Sequence, residues 1–411
     1  MADPTGPRPP AAGAPVPAPG AAPAPGAAPA PSVSAAGVPA SAPPYNYKLV
    51  LQQAVQMGAS DLHLKVGRAP MARLNGELSP LELAPLRPED LKSIGEQICP
   101  PKQKREFDAD KEADFAIGVP GIGRFRVNMY QQRGTLAFVF RAIAFQTSSI
   151  RDLNLPPVLE EIATKPRGLV LVTGITGSGK TTALASMIQY VNETRHANII
   201  TIEDPIEFLH RDINSNINQR EVGLDTGSFA SALRRVLRQD PDIILIGEIR
   251  DLETLEIALK AADTGHMVFS TLHTTDATQT INRVLSFYAP HQQADVRFSL
   301  STALQAVVSL RLVPRADRPG RVPACEVLIN TAAVQDNIRD MNRSLNIPDL
   351  IKEGTVHYGM QSFDQSLMGW YSKGIISYEN ALFFSTNPSE FALKVQGIAG
   401  TSDTSWDAFT Q

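Results

Sequence analysis

Hydrophobic and polar positions follow two different patterns along this chain. Between residues 45 and 150, segments in which apolar and polar residues alternate, such as RFRVNMYQQ and TLAFVFRAI, occur together with helical patterns such as PEDLKSIGEQI. Alternation with a period of two indicates half-buried strands, so this part predicts a small α/β domain. After the segment IRDLNLPPV, which we interpret as a linker, continuous apolar runs replace the alternation.

The second pattern begins near residue 155 and continues to about residue 385. The apolar runs GLVLVTG, NIITIED, DIILIGE and HMVFSTLH each precede a stretch typical of an amphipathic helix. Strands that alternate with helices predict a mainly parallel sheet with helices on its faces. Ligands of such sheets bind where the strands end, and polar residues follow all four runs. We therefore expect the functional site at that edge of the sheet.

The two ends of the chain differ from both patterns. Residues 1–44 are almost entirely Ala, Pro, Gly and Ser, and such a segment buries too little apolar surface to offset the entropy lost on ordering. We expect a disordered tail there, and a second tail in the last, Ser/Thr/Asp-rich part. The predicted organisation is a tail over 1–44, a small domain over 45–150, a larger domain with C-terminal helices over 155–385, and a tail over 386–411.

Composition argues against several classes of protein. With 38 basic and 42 acidic residues and a formal net charge of −4, the chain has no overall attraction to nucleic acid or anionic lipid. Its two cysteines, Cys99 and Cys325, cannot build a tetracysteine zinc site or a disulfide framework. No apolar run approaches the roughly 20 residues that span a bilayer, and no secretory signal is expected. These features predict a cytosolic protein.

The segment GITGSGKT, residues 174–181, matches the phosphate-binding pattern G-x-x-x-x-G-K-[ST]. An apolar strand precedes it and the helix-compatible TTALASMIQYV follows, as this pattern requires. Its glycines allow backbone N–H groups and the helix N-terminus to point at phosphate oxygens. Lys180 is expected to reach the β and γ phosphates, and the Thr181 hydroxyl to bind Mg²⁺. The predicted ligands are ATP and Mg²⁺, with ATP contacts from Gly174, Thr176, Gly177, Ser178, Gly179, Lys180, Thr181 and Thr182.

Carboxylates follow two of the predicted strands. NIITIEDPIEF places Glu203 and Asp204 at one strand end with Glu207 nearby, and DIILIGEIRD places Glu248 at another. Phosphoryl transfer to water needs a carboxylate that orients or deprotonates the water and one near the metal. A lone carboxylate at a strand end is usually only solvated, whereas two such strands beside a phosphate loop favour catalysis. Because Gly247 precedes Glu248 where many such ATPases have Asp, a water-mediated contact with the metal is favoured.

Two histidines flank an apolar run in the segment GHMVFSTLHTTDA. Metal ligands, general bases, buried structural side chains and sensors of a ligand are the alternatives. Seven residues of extended strand separate His266 from His273 by more than about 20 Å, too far for both to bind one metal ion. A shared metal site is therefore disfavoured, and a structural role stays open for His266.

Four motifs occur in an order typical of one family. GITGSGKTT, TIEDPIEF, DPDIILIGEIRDLET and TGHMVFSTLHTTDA resemble the Walker A motif, Asp box, Walker B motif and His box of the secretion ATPases that power type II secretion and type IV pili. MGASDLHLKVGRAPMARLNGEL and GRFRVNMYQQRGTLAFVFRAI resemble the N-terminal domain of pilus retraction ATPases. The resemblance implies a RecA-like P-loop domain preceded by a smaller PAS-like α/β domain. It also implies a homohexameric ring with ATP bound between the domains.

The resemblance implies a role for each candidate residue. His273 senses the γ-phosphate, and His266 connects the strand end to a neighbouring domain surface. Glu207 is the leading catalytic base with Glu203 beside it in the same box, and Glu248 is the Walker B carboxylate close to Mg²⁺. Arginines of the N-terminal domain are expected to reach ATP in trans. The candidates, which we place in a cluster on adjacent strands, are Arg124, Arg126, Arg133 and Arg141.

Among functions of this superfamily, pilus retraction and twitching motility are favoured. Extension ATPases usually carry a tetracysteine zinc module between Walker B and the His box or shortly after it, and this chain has neither the cysteines nor the inserted residues. The predicted motor lies in the cytoplasm at the inner-membrane face. Its expected partners are other copies of itself and an inner-membrane platform protein, through which alone it associates with the membrane, and no nucleic acid.

One departure from the resemblance keeps alternatives open. Where retraction ATPases typically show an AIRNL helix, this chain has AVQDN at residues 333–337. An accessory or extension-type ATPase of a pilus or type II secretion system is one alternative. A nucleotide-responsive scaffold with little turnover is another. A nucleic-acid translocase is disfavoured because the chain lacks a basic patch interleaved with aromatic residues.

Overall fold

The structure of the chain, a computed structural model, describes residues 45–74, 76–143, 148–340 and 346–397. The tail predicted over 1–44 lies outside these described residues, and so do residues 398–411 of the predicted C-terminal tail. Within the described ranges, no helix is both long enough and apolar enough to cross a membrane.

An antiparallel sheet of six strands forms the first part of the chain. Its strands are joined in the order β3-β2-β1-β6-β5-β4. The alternation read from the sequence is visible in β5, where Phe125, Val127 and Met129 are buried and the residues between them are more exposed. The elements are α1 (Tyr47–Gln56), β1 (Asp61–Lys65), β2 (Met71–Leu74), β3 (Glu77–Pro80), α2 (Pro88–Ile98), α3 (Pro101–Asp110), β4 (Glu112–Val119), β5 (Gly123–Gln132) and β6 (Thr135–Ile143).

A second sheet of seven strands follows, in the order β13-β12-β7-β11-β10-β8-β9. Every neighbouring pair is parallel except β12 and β13. The elements are α4 (Val158–Ala163), β7 (Gly168–Thr173), α5 (Lys180–Thr194), β8 (Asn198–Glu203), β9 (Asn216–Glu221), α6 (Phe229–Val236), β10 (Ile243–Ile246), α7 (Leu252–Asp263), β11 (Met267–Leu272), α8 (Ala277–Ser286), a short 3-10 helix (Pro290–Gln292), α9 (Gln293–Ala303), β12 (Leu304–Pro314) and β13 (Arg321–Ile329).

Helices cover both faces of the larger sheet, and this explains the continuous apolar runs. All residues of β7, β10 and β11 are buried, as expected for parallel strands between two layers of helices. One core joins Leu171, Ile246 and Val268 to α6, α7 and α8. The other joins Val170 and Phe269 to α4 and α5. The predicted fold class, an α/β chain with a helix-covered parallel sheet, is confirmed.

The remaining helices follow the β12–β13 hairpin. They are α10 (Ala332–Arg339), α11 (Ile347–Glu353), α12 (Thr355–Tyr358), α13 (Phe363–Ser372), α14 (Tyr378–Phe384) and α15 (Pro388–Val395). Of these, α10 packs against α9, α13 against β13 and α14 against β12. Two details differ from the sequence interpretation. Residues 386–411, predicted as a tail, begin with α15, whose Phe391 is 1% exposed in a core shared with β12 and β13. The predicted linker is also partly buried, because Ile150 and Leu155 belong to the core beside α5.

Candidate active site

Four parallel strands end at one edge of the larger sheet. Because β7, β8, β10 and β11 run in the same direction, the segments that follow them meet there. These segments line a cleft of about 410 Å³. Its walls include Thr176, Lys180, Glu203, Glu207, Glu248 and His273.

The loop between β7 and α5 has the backbone of a phosphate-binding loop. Gly174, Gly177 and Gly179 have φ values of 142°, 77° and 95°, which side chains disfavour. A Cβ atom on Gly174 would lie 2.6 Å from the Leu310 carbonyl oxygen, so only glycine fits there. Gly179 is the N-cap of α5, and its left-handed conformation turns the chain into the helix. The N-terminus of α5 therefore faces the cleft, where its free N–H groups favour an anion.

Lys180 supplies the positive charge of this loop. Its side chain is 8% exposed, and Nζ donates hydrogen bonds to the carbonyl oxygens of Gly174 at 2.8 Å and Ile175 at 3.0 Å. Burial lowers the pKa of the Lys180 ammonium. The Ser178 hydroxyl is buried and has no hydrogen-bond partner among the described residues. The loop thus offers a partly desolvated cation and an unused hydroxyl, which fit phosphate oxygens.

Eight residues of this segment are candidate ATP ligands. Six of them line the cleft, whereas Gly174 and Ser178 are buried and do not. The six in the cleft wall are Thr176, Gly177, Gly179, Lys180, Thr181 and Thr182.

The two glutamates that follow β8 differ in environment. Glu203 is 9% exposed, and its Oε1 accepts hydrogen bonds from the Thr201 hydroxyl at 2.6 Å and the Gln219 amide at 3.2 Å. Burial raises the pKa of the Glu203 carboxyl against the opposing effect of these hydrogen bonds. Glu207 is exposed in the wall of the cleft. Only Glu207 is therefore open to solvent.

Glu248 and His273 meet across the ends of β10 and β11. His273 Nε2 lies 3.0 Å from Glu248 Oε2. Burial lowers the pKa of the His273 imidazole, and the charges of Lys180 and Arg250 act in the same direction. Arg250 also contacts Glu248 through its Nε and lies 3.9 Å from Asp204. Sequence reasoning missed Arg250, although its position two residues after Glu248 was a usable signal.

His266 lies at the other end of β11, outside the cleft wall. Its Nδ1 is 3.0 Å from the Ala261 carbonyl oxygen and 3.3 Å from the Thr264 hydroxyl, at the end of α7. Its own carbonyl oxygen accepts a hydrogen bond from the Gly168 N–H. These contacts join β11 to α7 and β7 of the same chain.

Three of the four candidate arginines lie close together on β5 and β6, and the fourth lies apart. Arg124 begins β5 and Arg133 follows its end, which separates them by roughly 30 Å of extended strand. Arg126 is exposed and pairs across strands with Arg141. The placement of Arg133 in one cluster with the others is therefore wrong, because Arg133 lies in the turn between β5 and β6, at the opposite end of the hairpin.

Two of these arginines form ion pairs, and neither of these pairs lies in the cleft. Arg124 donates to Glu221 Oε2 at 2.9 Å, and the same oxygen accepts the Ile206 N–H at 3.2 Å. Glu221 ends β9 and Ile206 follows β8, so Arg124 is linked through Glu221 to the segment that carries Glu207. Arg141 donates to Asp61 Oδ1 at 2.9 Å within the smaller sheet. None of the four arginines lines the cleft formed by this single chain.

The described residues contain no group of three His, Cys, Asp or Glu side chains that could hold a metal ion. Thr181 and Glu248, the predicted metal-binding pair, both line the cleft. This sparse set fits a divalent cation that binds together with nucleotide phosphates, because Mg²⁺ usually takes one or two protein oxygens along with substrate oxygens and water.

Comparison with known proteins agrees with this geometry. The family model for type II/IV secretion system proteins matches residues 139–352. The type IV pilus retraction ATPase PilT of Pseudomonas aeruginosa is 44% identical over 342 residues, which cover 83% of this chain and 98% of that protein. The type IV pilus ATPase PilU of the same organism is 39% identical over 350 residues, covering 85% and 91%.

Solved structures give the same result. A crystal structure of the pilus retraction motor PilT with bound ADP superposes with a TM-score of 0.75 and is 42% identical, over 83% of this chain and 97% of that one. The sequence match therefore extends over the smaller sheet as well as the cleft. With the family model covering residues 139–352 and the relative PilT covered almost from end to end, the chain belongs to the type II/IV secretion system protein family and is an ATP hydrolase.

Proposed function

We propose that this chain is a motor that couples ATP hydrolysis to type IV pilus retraction, and that it works as a homohexameric ring. The observation that carries the proposal is the cleft in which the phosphate loop meets Glu203, Glu207, Glu248 and His273. The choice of retraction is supported by the relative named a pilus retraction ATPase, because the match covers 98% of that relative's length.

The phosphates of ATP are proposed to lie against the loop before α5. Lys180 then turns from the carbonyl oxygens of Gly174 and Ile175 to the β and γ phosphates, exchanging neutral acceptors for anionic ones. The Ser178 hydroxyl and the first N–H groups of α5 supply further donors. Mg²⁺, when bound, neutralises phosphate charge, and Thr181 with Glu248 are the residues proposed to hold it, Glu248 through water.

Glu207 is proposed as the general base. A base must be ionised and within reach of the attacking water, and Glu207 is exposed in the cleft wall. Glu203 is a less suitable base because its carboxyl is buried, with little access for the attacking water, and its Oε1 already accepts two hydrogen bonds. Those hydrogen bonds give Glu203 a different role, which is to hold the chain between β8 and Glu207 in place.

His273 is proposed to sense the γ-phosphate. Its lowered pKa favours the neutral imidazole, which can donate one hydrogen bond from Nε2. That donor lies 3.0 Å from Glu248 Oε2. A γ-phosphate oxygen competes with Glu248 for it, so hydrolysis and phosphate release would change the partner of His273.

An arginine of the N-terminal part is proposed to reach ATP in a neighbouring subunit. Arg126 is the first candidate, because it is exposed on β5 while Arg124 and Arg141 are engaged in ion pairs. A guanidinium that neutralises developing phosphate charge is worth about 10³–10⁵ in rate in related reactions. This role requires a ring, since Arg126 does not line the cleft of its own chain.

The proposed setting is the cytoplasm at the inner-membrane face of a pilus machine. The proposed partners are other copies of this chain and a platform protein of the inner membrane, and membrane association occurs through such partners only. ATP is supplied in the cytoplasm, which supports this side of the membrane.

An accessory role beside a main retraction motor is the second candidate. The observation that favours it is the surface of α10, which carries the AVQDN segment. Ala333 and Asp336 are exposed there, and Asp336 lies 3.7 Å from Arg339. This surface is polar and acidic, whereas the AIRNL helix typical of retraction ATPases presents an apolar and basic one. The 39% identity with the pilus ATPase PilU is compatible with either role.

Deletion of the gene in its native organism tests the proposal. Retraction predicts surplus surface pili together with lost twitching, because pili then assemble without being withdrawn. Loss of pili would instead indicate an assembly ATPase. Normal pili with reduced retraction force would indicate the accessory role. Steady-state hydrolysis by the purified protein separates all of these from a scaffold with little turnover.

A further inference from the structure

A buried carboxylate outside the cleft has no role in the chemistry described above. Glu326 lies on β13 and is 8% exposed. Its Oε1 accepts a hydrogen bond of 2.8 Å from the N–H of Ala277, the first residue of α8. A buried N–H at a helix N-terminus is costly when unpaired, so Glu326 satisfies a group that no intrahelical bond can reach.

The position of Glu326 in the sheet relates it to the cleft. Leu272 pairs with Thr173, Thr173 with Ser309, and Ser309 with Glu326, so one row crosses four strands. The row begins directly before His273 and passes directly before the phosphate loop. Within it, the Thr173 hydroxyl donates to the Ser309 hydroxyl at 2.9 Å. Residues paired across strands lie on the same face of a sheet. The side chain of Glu326 therefore lies on the same face as that of Leu272, and on this face it contacts the first residue of α8.

The segment between His273 and α8 is tied to the start of that helix. The Thr274 and Thr280 hydroxyls lie 2.7 Å apart, and Thr280 donates to the carbonyl oxygen of Asp276 at 2.7 Å. Asp276 is the N-cap and accepts the Gln279 N–H at 2.8 Å. The segment 273–276 and the first turn of α8 therefore move as one unit, and Glu326 fixes that unit to β13.

We propose that Glu326 is a positioning residue of the ATP site, which sets the distance of His273 from Glu248 and the phosphate loop by holding the N-terminus of α8 to β13. The proposal rests on the proposed role of His273 at the γ-phosphate. It adds a residue that does not line the cleft and acts through α8.

The charges around Glu326 extend this arrangement to the C-terminal helices. Asp276 on α8, Arg311 on β12 and Asp364 on α13 all act on its carboxyl, and burial raises its pKa to about 7. The Arg311 guanidinium lies 3.7 Å from the centre of the Phe363 ring and donates to the Phe384 carbonyl oxygen. The helices α13 and α14 are thereby connected to the same cluster that holds the His273 segment.

Hydrogen exchange and steady-state kinetics on the full-length protein test the proposal together. Glu326→Ala removes the acceptor and is expected to speed exchange in a peptide covering residues 273–284 by on the order of tenfold, with and without ADP. It should also lower kcat by on the order of tenfold while KM for ATP changes by less than about threefold, because the phosphate loop is untouched. Glu326→Gln keeps an amide oxygen as acceptor and should restore both measurements nearly to wild type. Glu353→Ala, an exposed glutamate at the end of α11, is the matched control and should change neither.

Three results would overturn the proposal: wild-type exchange over residues 273–284 in Glu326→Ala, faster exchange there with unchanged kcat, or failure of Glu326→Gln to restore kcat. If Glu326→Ala does not fold, Glu326→Asp takes its place, because it keeps the charge but withdraws the acceptor by one methylene, and an unchanged kcat in that variant counts against the idea. Lack of hydrolysis by the wild-type protein would defeat the proposed function instead, and the exchange experiment with ADP would still decide whether Glu326 holds this segment.

Discussion

The two sheets of this molecule place polar residues by opposite geometry. In the larger sheet, β7, β8, β10 and β11 are parallel, and the residues that follow them line one cleft. In the smaller sheet every neighbouring pair is antiparallel, and Arg133 lies at the opposite end of the β5–β6 hairpin from Arg124, Arg126 and Arg141. In the larger sheet, polar residues after strand ends predicted one site, and these residues line one cleft. In the smaller sheet, placement on adjacent strands predicted a cluster of four arginines, and Arg133 does not join it.

Strand direction determines whether residues that follow successive strands meet at one edge of the sheet. Parallel strands all end at one edge, so chain order alone is enough to bring Lys180, Glu207, Glu248 and His273 together. Antiparallel strands reverse, so the start of one lies beside the end of the next. Pairing of β5 with β6 therefore brings Arg126 beside Arg141 and leaves Arg133 at the other end of the hairpin.

The largest effect is expected at the phosphate loop of the parallel sheet. Lys180→Ala should reduce kcat/KM for ATP by on the order of 10³-fold or more, because the loop loses the cation that neutralises the β and γ phosphates. Lys165→Ala, an exposed lysine before β7, is the matched control and should leave hydrolysis unchanged. Purified variants assayed by phosphate release give the comparison. Near-normal turnover in Lys180→Ala would mean that this cleft is not the hydrolytic site.

The next largest effect separates the two glutamates after β8. Glu207→Gln should lower kcat by about 10²–10⁴-fold, since the amide cannot take a proton from water, and should leave ATP affinity nearly unchanged. Glu203→Gln should lower kcat by only several-fold, because this side chain is buried and an amide oxygen still accepts from Thr201. Measurements of kcat and of nucleotide affinity on both variants decide which glutamate is the general base. The reverse ranking would assign the base to Glu203.

The antiparallel region makes a prediction about rings rather than single chains. Arg126→Ala and Lys180→Ala subunits, each inactive alone, should regain about a quarter of wild-type activity when mixed in equal amounts, because about a quarter of random interfaces pair an intact arginine with an intact loop. Arg133→Ala, at the far end of β5, should be active by itself. Subunit exchange must be confirmed by labelled copies. If exchange occurs and no activity returns, Arg126 is not the residue that acts in trans.

The smallest expected effect concerns pH and is opposite in sign in the two regions. Burial raises the pKa of Glu326 from 4.5 to about 7, so its contribution to the unfolding free energy is present below pH 4.5 and is lost as pH rises through 7. That shift corresponds to about 3 kcal/mol. In the smaller domain, hydrogen bonding to Arg87 lowers the pKa of Asp90, so its contribution is present above pH 3.8 and is lost on acidification.

Denaturant unfolding across the pH range measures both contributions. Glu326→Gln should reduce the change in unfolding free energy between pH 4.5 and 7. It should leave the loss of stability at more acidic pH, the acid limb, in place. Asp90→Asn should weaken the acid limb alone. A Glu326→Gln protein with the same pH dependence as wild type would contradict the raised pKa.

How much of the molecule could be predicted from its sequence follows from how local each feature is. The phosphate loop, its strand and its helix are one continuous segment, and β8, β10 and β11 were evident from apolar runs that the helices bury on both faces. Because these segments are local and parallel, Lys180, Glu207, Glu248 and His273 line one cleft.

Features that depend on distant pairing were out of reach. Arg124 meets Glu221 across 97 residues, and the Ala277 N–H meets Glu326 across 49. Nothing near Arg124 in the chain marks it as a partner of the segment that carries Glu207. A lone glutamate within the apolar strand VPACEVLI was the available signal for Glu326, and its meaning depends on the register of the β12–β13 hairpin.

That register has a consequence for how this chain tolerates changes in length. Side chains alternate between the two faces of a strand, so deletion of one residue between Arg321 and Glu326 would turn Glu326 away from α8. The turn between β12 and β13 is different, because residues 316–320 are exposed and lie outside the paired row. A fluorescent label or a short inserted epitope is therefore expected to be tolerated in that turn. The same insertion between Arg321 and Glu326 is expected to be disruptive.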